Sequence, residues 1–187
     1  MSKALGIAKV VLMVWGAISL IGVLVLVGFF AYSFKTDDSV KYDKATAGDV
    51  QFVFGWSDIP FERLERVVHS YEGRRYFNGD YNDVYAIQLT DISVDELVGD
   101  TIDPVAITSR FYRGDQLPSE IEDAVDYQYP YINDSVEPWF PAVEEIRSDQ
   151  MYVYAFTVNY SAGRINETEL ILVRPSDKML YFFGAAE

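Results

Sequence analysis

The chain has 187 residues, with 29 acidic and 15 basic side chains, a formal charge of −14 and no cysteine. All of the acids and 13 of the basic residues follow Phe34, so that region carries −16, a charge that repels nucleic acid and argues against such a partner. Without cysteine there is no disulfide framework, and a single histidine, His69, leaves zinc short of its usual ligands.

Residues 1–9 form a short tail bearing Lys3 and Lys9. From Val10 to Phe34 no side chain is charged, and 25 residues at about 1.5 Å each exceed a hydrocarbon core of about 30 Å. The run is too long for the apolar region of a signal peptide, and Ala31-Tyr32-Ser33 is a poor cleavage site. The expectation is a transmembrane helix over 10–34 that acts as a signal-anchor and contacts membrane lipid. Trp15 and Tyr32 suit its two interfaces. Gly16, Gly22 and Gly28 recur every six residues rather than every four, so no helix-dimer motif is read. The Lys-bearing tail points inward, which predicts a single-pass protein of the cell membrane with its large domain extracytoplasmic. Residues 35–49 are small, polar and charged, and read as a juxtamembrane tether.

Residues 50–187 read as one α+β domain, an antiparallel sheet with helices packed on one face. Val50–Trp56 is β-branched and aromatic, a predicted strand. Phe61, Leu64, Val67, Val68 and Tyr71 recur at three- and four-residue steps and predict a helix from Ser57 towards Gly73. Asp83–Ile92 alternates as a strand, and Ser93 to Glu96 has capping-box spacing for one helical turn closed by Gly99. Val105–Arg113 predicts another strand, Leu117–Tyr129 a second amphipathic helix, and Ala142–Arg147 a helical turn within a Pro-broken stretch. Met151–Tyr160, Glu169–Arg174 and Met179–Phe183 predict three closing strands joined by turns.

Signatures of catalysis are absent. His69 flanks the apolar stripe and reads as a boundary residue with a structural role. Asn78, Asp80 and Asn82 fit the first positions of a calcium loop, but position six is Asp83 rather than Gly and position twelve is Leu89 rather than Glu. No phosphate-binding glycine loop and no Gly-x-Ser-x-Gly occur. No catalytic residue, metal ligand or cofactor is therefore assigned. The candidate binding residues are Tyr127, Tyr129, Tyr131, Trp139 and Phe140, aromatic side chains crowded into a Pro-punctuated segment of the kind that serves interfaces. The resulting expectation is a membrane-held, non-catalytic domain that binds a protein partner, a basic one being suited to its acidic surface, as an accessory subunit, immunity protein or inhibitor. The alternatives are a cell-wall or glycan-directed enzyme using carboxylates, and a structural assembly tether.

Overall fold

The computed structural model describes residues 2–33, 40–75, 79–97 and 110–187. The chain divides into two compact units, Met1–Asp38 and Ser39–Glu187. The first contains helix α1, Ser2–Ser33. Among the described residues no helix is long and apolar enough to cross a membrane. The predicted transmembrane helix over 10–34 is corrected accordingly. The signal-anchor, the contact with membrane lipid, the single-pass topology with an extracytoplasmic domain and the three membrane-held functions fall with it.

The second unit carries strand β1 (Lys41–Tyr42), helix α2 (Gln51–Ser57), strands β2 (Leu64–Glu72) and β3 (Tyr81–Leu89), and the helical turn α3 (Val94–Leu97). There follow β4 (Tyr112–Arg113), α4 (Ser119–Gln128), α5 (Val143–Ile146), β5 (Tyr152–Ser161), β6 (Arg164–Arg174) and β7 (Met179–Ala186). The strands form one antiparallel sheet in the order β1-β2-β3-β7-β6-β5-β4. Strand β7 returns to the middle and joins the β2-β3 hairpin to the β5-β6 hairpin.

Both faces of the sheet are covered, which corrects the expectation of helices on one face. Val84, Ala86, Leu170, Leu172, Tyr181 and Phe183 point to the side packed by Ile121, Ala124 and Val125 of α4 and Ile146 of α5. Tyr85, Ile87, Leu89, Ile171, Val173, Leu180 and Phe182 point to the other, packed by Val53 and Phe54 of α2. The central strands β3 and β7 therefore bury side chains on both faces and read as near-continuous apolar runs. Buried Gln128 donates to the carbonyls of Thr168 at 3.0 Å and Phe183 at 2.9 Å, pinning α4 to β6 and β7.

Two predicted elements exchange identity. Val50–Trp56 belongs mainly to helix α2, because its buried residues Val50, Val53, Phe54 and Ser57 recur at three- and four-residue steps. Asp58 then ends the helix in the left-handed region, with φ 56°. The predicted helix from Ser57 instead becomes a short 3-10 turn followed by strand β2. Its helical periodicity comes from two register shifts, between Leu64 and Arg66 and between Val67 and His69. Each extra residue breaks the two-residue alternation, so Leu64 and Val67 face one side while Val68 and Tyr71 face the other.

The remaining elements follow their patterns. Strand β3, helix α4 and the three closing strands stand where alternation or amphipathic spacing puts them. The Ser93 hydroxyl bonds Glu96 Oε1 at 2.8 Å at the start of α3. Residues 105–109 of the predicted Val105–Arg113 strand, the Gly99 stop and residues 35–39 of the predicted tether lie outside the described residues. Within the rest of that tether, Lys41 and Tyr42 pair with β2.

The β5-β6 hairpin turns on Ala162 and Gly163, both with positive φ, 52° and 78°. That is the turn type whose twist matches antiparallel strands, and it strains a residue with a Cβ such as alanine. Replacing Ala162 with Asn, which tolerates the left-handed region, should raise stability by about 0.5–1 kcal/mol in urea unfolding. A loss of stability would show that the turn is not held in this conformation.

Candidate functional site

The strand register places a row of side chains across the face that α2 covers. Glu72 pairs with Asp83, Asp83 with Gly184, Gly184 with Glu169, and Glu169 with Thr157. One step further along the strands, Tyr81 pairs with Ala186 and Ala186 with Glu167. Neighbouring strands lie about 4.8 Å apart, so the Asp83 and Glu169 backbones stand about 10 Å apart across the bare Gly184. A Cβ at Gly184 would lie 2.8 Å from the Phe182 ring and 3.1 Å from the Tyr81 ring, so glycine is what lets both rings lean over that position.

These rows floor a cleft of about 520 Å³. Its wall comes from α2, where Phe52 and Trp56 lie on the side facing the sheet. Phe52 meets Trp56 edge-on at 4.6 Å and Phe182 at 5.1 Å. Trp56 stacks face to face on Phe156, with centroids 4.1 Å apart. Phe156 lies at a register shift in β5, and the extra residue there turns both Phe156 and Thr157 towards α2's side of the sheet. Asp49, just before α2, holds Thr46 through its backbone N–H and its hydroxyl, both at 2.7 Å, and these bonds lower its pKa.

Five carboxylates, Asp49, Glu72, Asp83, Glu167 and Glu169, line the cleft against one guanidinium, that of Arg75. Most of them have fixed partners. Glu169 accepts from Tyr81 at 2.9 Å and from Thr157 at 2.7 Å. Glu72 accepts from Tyr85 at 3.3 Å and Lys41 at 3.4 Å, and Glu167 from Asn159 at 2.7 Å. Burial and the neighbouring carboxylates raise the pKa of both Tyr81 and Tyr85, so the phenols stay protonated and donate.

Asp83 differs from the others. It is 5% exposed, Arg75 pairs with its Oδ2, and its Oδ1 has no hydrogen-bond partner. Burial pushes its pKa up to about 6, against the opposing pull of Arg75. A desolvated carboxylate with a free lone pair, in a cleft of negative potential, is an acceptor for a cation. Among the described residues no three acidic or histidine side chains converge to hold a metal ion. Carboxylates spaced along strands suit an extended organic cation better than a metal, which needs its ligands on one point.

The aromatic residues predicted as a binding surface lie elsewhere. Phe140 is buried against Tyr181 and Phe183, with centroids 5.8 and 5.5 Å away. Trp139 stacks on His69 at 5.3 Å and donates its indole N–H to the Ser135 carbonyl at 3.0 Å. Tyr127 and Tyr131 come together at 5.5 Å, and Tyr129 is half-buried beside Phe140 and Val125. None of these five lines the cleft. Of the calcium-loop positions, Asn78 lies outside the described residues, and Asn82 donates to the Tyr131 carbonyl at 3.0 Å.

The sequence reading missed Phe52, Trp56, Tyr81, Asp83, Glu167 and Glu169 as site residues. The available signal was acids at alternate positions running straight into apolar faces: Asp83 before Tyr85 and Ile87, and Glu167 and Glu169 before Ile171 and Val173. Comparison with known protein families, with characterised proteins and with solved structures finds no match for this chain.

The unfolded chain binds the Asp83 proton less tightly than the folded one, so this group's contribution to stability falls as pH rises from about 4 to about 6 and is constant above. At 1.36 kcal/mol per pKa unit the fall is about 3 kcal/mol. Urea unfolding of Asp83→Asn and wild type across pH 4–7 should show the variant gaining relative stability over that window. A constant difference would mean that Asp83 titrates normally.

Proposed function

We propose that the Ser39–Glu187 domain is a non-catalytic binding module that takes a positively charged organic group in the cleft between α2 and the β3-β7-β6 face. The observation that carries this reading is Asp83, a buried carboxylate with an unpartnered oxygen lining an aromatic-walled space. Size and composition support it. About 520 Å³ falls within the range of small-ligand sites, and aromatic walls with a few fixed polar groups are their usual lining. Aromatic faces also attract cations, most strongly where water is excluded.

The arrangement of the acids favours binding over catalysis. General acid–base work needs carboxyl groups free to exchange protons with a substrate. Here both oxygens of Glu169 and both of Glu72 already accept from fixed side chains, and Asp83 is tied on one side by Arg75. Such groups supply a steady negative field and a fixed geometry. Surface pairing leaves that field intact: Arg63 pairs with Asp91 and Glu96, Arg113 with Asp115, Arg147 with Asp126, and Arg174 with Glu145 and Asp177, all away from the cleft.

Calorimetric titration of the 187-residue chain with 1,5-diaminopentane and with uncharged 1,5-pentanediol separates charge recognition from apolar contact. Binding of the diamine alone is expected, weakened about tenfold by Glu169→Gln, the scale of one charge-assisted hydrogen bond. Equal affinity for the two probes, or no effect of the substitution, would remove this cleft as the site.

A further inference from the structure

The cleft already holds one cation, and that cation belongs to the protein. Arg75 follows β2 by three residues, and its guanidinium reaches back to the rim. There it pairs with Asp83 Oδ2 and lies over the Tyr81 ring, with its central carbon 5.0 Å from the ring centroid. Tyr81 is held by its hydroxyl bond to Glu169, so the ring presents a fixed face. The Arg75 side chain is 51% exposed while that of Asp83 is 6% exposed. The acceptor is therefore fixed and buried, and the cation on it is held from the solvent side.

A planar guanidinium suits this place better than an ammonium group. It stacks on an aromatic face while its edge donates to a carboxylate, and it loses less hydration on entry. Arg75 uses one oxygen of Asp83 and leaves the other unpartnered. The rest of the row, with Glu169 across Gly184 and Glu167 one step on, offers further acceptors to the donors of an entering group.

We propose that the ligand of the cleft is a guanidinium group and that Arg75 is a built-in competitor for its position over Tyr81 and against Asp83. This rests on the reading of the cleft as a cation site and adds both the ligand class and a self-occluded resting state. An entering guanidinium displaces Arg75 into solvent. The affinity observed for the wild-type protein is the intrinsic affinity reduced by the fraction of molecules in which Arg75 occupies the place. No covalent step is involved. The same group can arrive on a small molecule or on an arginine residue of a peptide, and the two are distinguished by probe.

Arginine amide, lysine amide, Gly-Arg-Gly and Gly-Lys-Gly would be titrated into the 187-residue wild type, Arg75→Gln and Asp83→Asn. The Arg75→Gln variant should bind arginine amide about tenfold tighter than wild type if Arg75 fills the place nine-tenths of the time. Lysine amide should gain markedly less, whereas simple removal of a positive charge would tighten both alike. In wild type labelled with ¹⁵N-arginine, the Arg75 Nε–H resonance should move towards its free position as arginine amide is added. That readout decides the matter even if Arg75→Gln folds poorly. Comparable binding of Gly-Arg-Gly marks peptide arginine as an acceptable source, and binding of arginine amide alone marks a small molecule. Equal or weaker binding by Arg75→Gln, equal gains for both amides, or a stationary Arg75 resonance under saturating arginine amide would overturn self-occlusion. Binding of 1,5-diaminopentane without arginine amide would overturn the guanidinium assignment and leave the cation cleft standing. Failure of every cation to bind wild type and Arg75→Gln alike would overturn both.

Discussion

Asp83 takes its inward position from the pleat of β3, which sends Tyr81, Asp83, Tyr85, Ile87 and Leu89 to one face of the sheet. A carboxyl buried on that face must be met by charge or hydrogen bonds from within the fold, or it holds its proton. Arg75 supplies one contact, to Oδ2, and leaves Oδ1 unmet. Glu72, beside it in the same row, adds repulsion in place of relief. The charged row is thus a local conflict inside a sheet whose neighbouring rows, Tyr85 with Phe182 and Ile171, and Ile87 with Leu180 and Val173, are apolar and close-packed. Sequences that fold to one state tend to carry such conflicts where function requires them.

The rest of the domain keeps that row open and fixed. Helix α2 has seven residues, and its apolar side covers the rows from Tyr85 onwards, with Phe52 and Trp56 left at the edge as a wall. The register shift at Phe156 turns that ring onto Trp56 and frees Thr157 to hold Glu169. On the opposite face, α4 and the Pro-broken stretch through Phe140 pack a separate core, with Gln128 fastening α4 to the carbonyls of β6 and β7. Packing on both faces stiffens β3, β6 and β7, and a rigid floor keeps carboxylates about two strand widths apart without letting them relax.

Much of this architecture is legible in the sequence. Strand β3, the closing β5-β6-β7 meander and helix α4 follow from period-two and amphipathic spacing, and the mixed α+β character with an antiparallel sheet follows from their order. The exchanged pair, α2 and β2, was not legible for a physical reason. Composition favours a strand in Val50–Trp56, while burial at Val50, Val53, Phe54 and Ser57 requires a helix, and tertiary packing overrides propensity. In β2 the register shifts imitate a helical period, and no local signal marks a bulge in advance. The 25 uncharged residues from Val10 are likewise a statement about composition, whereas among the described residues no helix is long and apolar enough to cross a membrane. The cleft was hidden because its members come from five separate segments brought together by strand order. The aromatic residues of the Pro-punctuated segment, Tyr131, Trp139 and Phe140 among them, pack beside the opposite core.

The most direct measurement is the titration of Asp83 itself. The ¹³Cγ resonance of Asp83, followed from pH 3 to pH 8 in the labelled protein and assigned by comparison with Asp83→Asn, reports its protonation without reference to any ligand. A midpoint near pH 6 is expected of a carboxyl desolvated on the inner face and only half relieved by Arg75. A midpoint at or below the ordinary aspartate value of 3.8 would mean that the carboxyl is solvated or fully paired, and the cleft would lose the acceptor on which cation recognition depends.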